Sequence, residues 1–302
     1  MGTREPFLAA MKNRVVLSDG AMGTALTTSE CAAPAGSYRV PEELNVLDSS
    51  RVLGVHRTYV AAGAEVIGTN SFGANAIRLS AAGLADEAER YSRCAAELAR
   101  EVAREVAGSD LWVAGSLGPT GQFLEPLGDL TESAAAQAFG AQAAALAAGG
   151  ADLLLIETMA DLGEAATAIA AARETGLPVG CTFVFDSHGR TLMGATPEQA
   201  AEVALAAGAD LVGVNCGDRP EFVGQAIERM HGAYPEALLV AQPNAGLPQL
   251  QGDSTVTYDV GPEDLAAYAD RFVATGVHLL GSCCGSTPMH TAALAGALRS
   301  QA

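Results

Sequence analysis

Ala207-Gly208-Ala209-Asp210-Leu211-Val212 decides how this chain folds. An alanine-rich, helix-like stretch runs into a glycine, one small and one acidic residue follow, and an apolar run begins. Glycine adopts the left-handed conformation that ends a helix, and the chain turns into a buried strand. The signature recurs in Ala62-Gly63-Ala64-Glu65-Val66-Ile67, Gly149-Gly150-Ala151-Asp152-Leu153-Leu154 and Thr275-Gly276-Val277-His278-Leu279-Leu280. Short, continuous apolar runs suit strands covered on both faces, as in parallel sheets.

Working outward from these joints predicts eight strands, at residues 14–18, 65–69, 111–116, 152–157, 178–184, 210–215, 237–242 and 277–281. Helical stretches separate them, for example 86–107, 133–148, 162–175 and 197–207. Eight alternating units point to an α/β fold of the (β/α)8 TIM-barrel type, one domain over residues 1–302. The alternative is an open doubly wound sheet, and no G-x-G-x-x-G follows the first strand to support its dinucleotide-binding version. The Pro/Gly-rich stretch 246–262 reads as a surface loop between the seventh strand and its helix.

The formal net charge of −18 disfavours nucleic acid and anionic membrane surfaces as partners. No run of eighteen apolar residues predicts a membrane span, and Met1-Gly2-Thr3-Arg4-Glu5-Pro6 lacks the apolar core of a signal peptide, so a cytoplasmic location is expected. In a reducing compartment, six cysteines are not a disulfide framework, and their placement becomes informative.

Active sites of such barrels form at the C-terminal ends of the strands. Those ends carry Asp19, Thr69 with Asn70, the 115–121 turn, Glu157, Cys216, Asn244, and Cys283 with Cys284. Cys216 ends the sixth predicted strand, and the cysteine pair follows the eighth. Three thiolates make a soft site for Zn2+ and leave a fourth tetrahedral position open. Any one cysteine alone reads best as a small buried hydrophobe. That bland reading stands for Cys94 in a helix and Cys181 in a strand, and Cys31 lies in a loop. A thiolate-rich centre is a poor Lewis acid for carbonyls but suits a fourth, nucleophilic thiolate. None of His56, His188, His231, His278 and His290 forms the pairs that hydrolytic zinc sites use.

The chain resembles homocysteine S-methyltransferases over about Val15 to His290. The shared wording includes Leu17-Ser18-Asp19-Gly20-Ala21-Met22-Gly23-Thr24, Gly68-Thr69-Asn70-Ser71-Phe72-Gly73, Gly115-Ser116-Leu117-Gly118-Pro119, Ile156-Glu157-Thr158-Met159, Val214-Asn215-Cys216-Gly217 and Gly281-Ser282-Cys283-Cys284-Gly285. The resemblance implies a zinc-containing barrel that methylates homocysteine to methionine, with Cys216, Cys283 and Cys284 as metal ligands and catalytic centre. It implies that Asp19, Glu157 and Thr69 receive the homocysteine amino group, and that backbone amides around Gly20 and Ala21 receive its carboxylate. Two positions depart from the family pattern: Ser282, where glycine is usual, and Arg219 in the loop after Cys216.

Methyl donors in the family are betaine, sulfonium compounds or a methylated corrinoid. A quaternary ammonium group needs an aromatic cage. The lone Trp112 lies in the third strand, and Gly73 stands where the betaine type has an aromatic residue. The wording is closest to the homocysteine module of cobalamin-dependent methionine synthases. With the chain stopping at Ala302, methylcobalamin on a partner corrinoid protein is the expected donor and a small sulfonium compound the alternative. A different thiol acceptor, or a non-catalytic zinc-binding barrel, are the competing readings.

Overall fold

The computed structural model describes residues 6–34, 36–106, 111–250 and 256–300. Residues 1–5, residue 107 of the helix expected over 86–107, and residues 251–255 of the expected loop lie outside these. All four glycines of the joint signature have positive φ: 104° at Gly63, 103° at Gly150, 99° at Gly208 and 84° at Gly276. Each releases the chain into a strand. The barrel strands are β1 (Val16–Leu17), β2 (Val66–Gly68), β3 (Trp112–Leu117), β4 (Leu153–Met159), β5 (Val179–Phe183), β6 (Leu211–Cys216), β7 (Leu238–Pro243) and β8 (Val277–Leu280). They form one parallel eight-stranded sheet in which β1 pairs with β8 and β2 with β3. Outer helices follow the strands, among them Ser49–Ala61, Ala88–Glu105, Glu132–Gly149 and Pro288–Arg299.

The remaining seam, between β1 and β2, is closed by few bonds. Glu65 N–H donates to Leu17 O at 2.8 Å and Asp19 N–H to Val66 O at 2.9 Å. The Glu65 carboxylate also accepts from Leu17 N–H, at 3.1 Å. A (β/α)8 barrel results.

Two apolar layers hold it. Between sheet and helices, alanine-rich helix faces meet residues such as Leu154, Ile156, Val212 and Leu239; the small side chains let helices approach the sheet closely. Inside, Val16, Val66, Trp112, Leu153, Leu211, Val240 and Leu279 pack on Phe7 and Met11 of the N-terminal helix Phe7–Asn13, which plugs the N-terminal end. Trp112 meets Phe7 edge-on, with ring centroids 5.7 Å apart. It is thus a floor residue and takes no part in the mouth.

One expectation needs correcting. The 246–262 stretch is not only loop: Pro248–Leu250 and Val256–Tyr258 pair antiparallel as a small hairpin. Its residues are mostly exposed, so no alternation of buried side chains marked it in the sequence. Among the described residues, no helix is long and apolar enough to cross a membrane.

Candidate metal and substrate site

The parallel register explains why cysteines from β6 and the β8 loop meet. Cys216 lies beside Pro243 of β7. Cys283 N–H then donates to the carbonyl of that same Pro243 at 2.8 Å. One carbonyl between two strands therefore brings the cysteines together. The Cys216 and Cys283 sulfurs are 2.9 Å apart, those of Cys283 and Cys284 4.0 Å, and all three lie within 4.8 Å of one another. Sulfurs about 2.3 Å from a common tetrahedral zinc would stand nearly 4 Å apart. The Cys283–Cys284 spacing matches this, and the Cys216–Cys283 pair would fit the metal on opening by about 1 Å.

Their electrostatics are those of a cluster that shares protons. The thiol that ionises first is Cys284, lowered to about 3 by hydrogen bonds from Cys216 and Cys283. Cys283 is pushed well up by its hydrogen bonds with Cys216 and Cys284 and by burial.

Asn215 braces this cluster, and sequence reasoning assigned it no role. It is fully buried. Its Oδ1 accepts from Thr158 N–H and Thr182 Oγ1, both at 2.8 Å. Its Nδ2 donates to Thr158 Oγ1 at 2.7 Å and points at the Cys216 and Cys283 sulfurs, each 3.8 Å away. Thr158 and Cys216 are the two non-glycine residues with positive φ among those described, at 64° and 58°. Such conformations cost free energy and persist where surroundings over-determine them. Asn215 supplies that constraint between β4 and β6.

The cysteines open on a cavity of 410 Å³ at the C-terminal mouth. Asp19, Gly20, Ala21, Thr69, Glu157, Cys216, Cys283 and Cys284, the eight expected site residues, all line it, as do Ser282 and Gln242. Asn244 and Arg219 do not. Asn244 Nδ2 instead donates to Gly217 O at 2.8 Å, and Arg219 pairs with Asp259 beyond the hairpin at 2.8 Å.

Asp19 is buried, and Oδ2 accepts from Gly68 N–H at 2.8 Å. Burial outweighs this and the Ser18 hydrogen bond, lifting its carboxyl to about 7. Glu157 is lifted to about 7 as well, by burial against a hydrogen bond donated by Ser116 Oγ. Two carboxyls held near neutrality in one cavity are poised for a cation that would restore their charge. Thr69 Oγ1 accepts from Ser116 N–H at 2.9 Å and shares a 2.6 Å bond with Ser71.

The two expected amides differ. Ala21 N–H is taken by Ser286 Oγ at 3.1 Å, which also donates to Cys283 O at 2.8 Å. Tyr59 OH holds the same corner, donating to Ala21 O at 3.2 Å. Nothing in the local sequence signalled Ser286 or Tyr59, because the contacts span 265 and 38 positions. Over the cysteine pair, Gly285 packs under the Tyr258 ring of the hairpin, so that no side chain would fit there.

The homocysteine S-methyltransferase family model matches residues 16–298. Curated relatives include methionine synthases of Mycobacterium tuberculosis and Mycobacterium leprae. Each is 32% identical over 306 residues, covering 96% of this chain but 25% of the relative. The chain thus spans a quarter of the length of those proteins. Among solved structures, the metallated form of the homocysteine methyltransferase MmuM from Escherichia coli aligns with a TM-score of 0.78 and 25% identity, over 99% of this chain and 100% of that one. Its oxidized form aligns with the same TM-score at 26% identity, over 97% and 99%.

Proposed function

The chain belongs to the homocysteine S-methyltransferase family, and from that premise we propose that it transfers a methyl group to the thiolate of homocysteine at a zinc held by Cys216, Cys283 and Cys284. The observation that carries this reading is the convergence of three thiols and two neutral-leaning carboxyls on one cavity. Zinc bound by the three thiolates would supply a centre that takes up a substrate thiol as thiolate near neutral pH while leaving it nucleophilic.

The other residues act on the acceptor and on the cluster. Asp19 and Glu157, with Thr69 between them in the lining, receive the ammonium group; its charge draws both carboxyls into the ionised form. The amides at Gly20 and Ala21 face the acceptor's carboxylate, with Ala21 N–H shared with Ser286. Asn215 holds the Cys216 and Cys283 sulfurs in place and donates to them, which restrains their basicity. The walls of the mouth fix the sulfur in a single orientation, so that the donor carbon approaches in line.

For the donor, the reading is a methylated corrinoid presented by another domain or protein. Phe123, Leu127, Leu192, Leu250 and Met289 are large, apolar and exposed. Each lies on a segment that follows a barrel strand, on the face that carries the mouth. Exposed apolar side chains distributed around one face suit contact with a protein partner. Betaine fits poorly: a side chain at Gly73 would collide with Glu42 and Arg78, and Trp112 lies at the opposite end of the barrel.

The test is a donor screen on zinc-loaded protein with homocysteine as acceptor, comparing methylcobalamin with S-methylmethionine and S-adenosylmethionine. Methionine formed from methylcobalamin supports the whole reading. Ordinary enzymatic rates with S-methylmethionine alone would reject the corrinoid half, and no methionine from any donor would reject the acceptor.

A further inference from the structure

The small hairpin after β7 is tied to the cysteine pair by the chain on either side of it. Before the hairpin, Pro243 O accepts from Cys283 N–H at 2.8 Å, and Ala245 N–H donates to Cys284 O at 2.9 Å. After it, Val260 N–H donates to Ala245 O at 3.0 Å, so both ends of the hairpin meet at one residue. Tyr258, on its second strand, covers the turn itself. A Cβ built on Gly285 would run into Cγ, Cδ1 and Cδ2 of the Tyr258 ring. Gly285 N–H donates to Thr24 Oγ1 at 3.3 Å, and the Tyr258 phenol pairs with the same threonine. That phenol is within electrostatic reach of all three cysteines, yet Tyr258 does not line the substrate cavity.

The next two residues hold Tyr258 in place from other elements. Asp259 Oδ2 takes the Arg219 guanidinium at 2.8 Å, in the loop that follows Cys216, and Oδ1 accepts from Leu247 N–H at 3.1 Å. His290 Nδ1 accepts from Thr287 N–H at 3.1 Å, so Nε2 carries the proton and donates to Val260 O at 3.0 Å. Residues 258–260 therefore join the loop of Cys216, the turn of the cysteine pair and the last helix. Gly285 has a φ of 79°. Glycine gives a turn freedom to move, and the ring packed on it takes that freedom away.

We propose that Tyr258 is a positioning residue: with the hairpin as its strap, it holds the Cys283–Cys284 turn closed on the metal, and metal leaves when the hairpin lifts. This rests on the three-cysteine zinc reading given above. It gives the hairpin a part in metal retention that is separate from binding of the acceptor.

The experiment follows zinc release into a chromogenic chelator from loaded wild type, Tyr258→Ala, Tyr258→Phe and Arg219→Ala, with melting temperatures measured alongside. Cobalt substitution, read by the thiolate-to-metal charge-transfer band, establishes that all three cysteines still bind. Residues that support metal ligands are worth about 10-fold or more in affinity, so Tyr258→Ala is expected to release zinc about 10-fold faster. Tyr258→Phe keeps the ring on Gly285 and stays closer to wild type than to Tyr258→Ala. Arg219→Ala removes an exposed ion pair without touching the turn and speeds release by about 3-fold; it decides the matter where Tyr258→Ala does not fold. Release at the wild-type rate from the Ala variants overturns the assignment. Release that quickens only in step with a fallen melting temperature overturns it too, because general loosening then suffices. A wild type that retains no zinc overturns the three-cysteine reading instead.

Discussion

The side-chain amide of Asn215 stands 3.8 Å from the sulfur of Cys283, a residue 68 positions further along the chain. The same side chain satisfies Thr158 N–H and the Thr182 hydroxyl across two neighbouring strands. Replacing Asn215 with Ala leaves both donors buried without a partner. At about 1–3 kcal/mol for each such group, the variant loses roughly 3 kcal/mol of stability. Denaturant unfolding measures this. An effect within 0.5 kcal/mol of zero would show that Asn215 braces nothing.

Metal content follows the thiols. Wild type is expected to hold one zinc per chain, and Cys284→Ala to lose both retained zinc and methyl transfer. Elemental analysis after dialysis against a weak chelator measures the first, and methionine formation the second. Full activity in a zinc-free preparation would contradict the mechanism.

The buried Asp19 carboxyl gives a pH dependence whose sign is opposite in the free and bound protein. Its folded value is about 7 against an ordinary 3.8. Between these, the folded protein holds the proton and the unfolded chain does not. Asp19 thus adds stability as pH falls from 7 toward 4 and lowers it above 7. An ammonium ligand requires the ionised form, so homocysteine affinity should fall as pH drops below about 7. Titration at pH 6 and pH 8 tests this; Asp19→Asn should bind more weakly at both, with the dependence that remains set by Glu157, whose carboxyl is also lifted to about 7.

His56 supplies a second, opposing dependence. It is fully buried, neither ring nitrogen has a hydrogen-bond partner among the described residues, and burial lowers it to about 4 from an ordinary 6.5. The unfolded chain takes up the proton first, so stability is complete above 6.5 and declines as pH falls toward 4. The decline amounts to about 3 kcal/mol. His56→Leu should remove this acid limb. An unchanged unfolding profile between pH 6.5 and 4 would refute it.

The barrel was legible because glycine joints and apolar runs are local signals. The helix expected over 86–107 is Ala88–Glu105, and the strand expected over 210–215 is Leu211–Cys216. The first strand shrank from 14–18 to Val16–Leu17, because the Glu65 carboxylate takes the Leu17 amide at the seam. The cysteines and carboxyls of the site were visible as reactive types at strand ends. Thr158, Asn215, Ser116 and Ser286 were not. Their parts depend on strand register and on left-handed backbone at Thr158 and Cys216, which residue type does not reveal.

The seam where β1 meets β2 runs through Asp19. Its N–H closes the barrel onto Val66, its carbonyl holds Ser282, and its carboxylate holds the Gly68 amide. The thinnest part of the wall and the proposed anchor for an ammonium group are therefore one residue. Transient opening of this seam would scatter the pocket, and an occupied pocket would resist that opening. Slowed deuterium uptake at Asp19, Gly68 and Ser282, with the distant floor around Trp112 unaffected, would make the breathing of the barrel itself a gauge of acceptor occupancy.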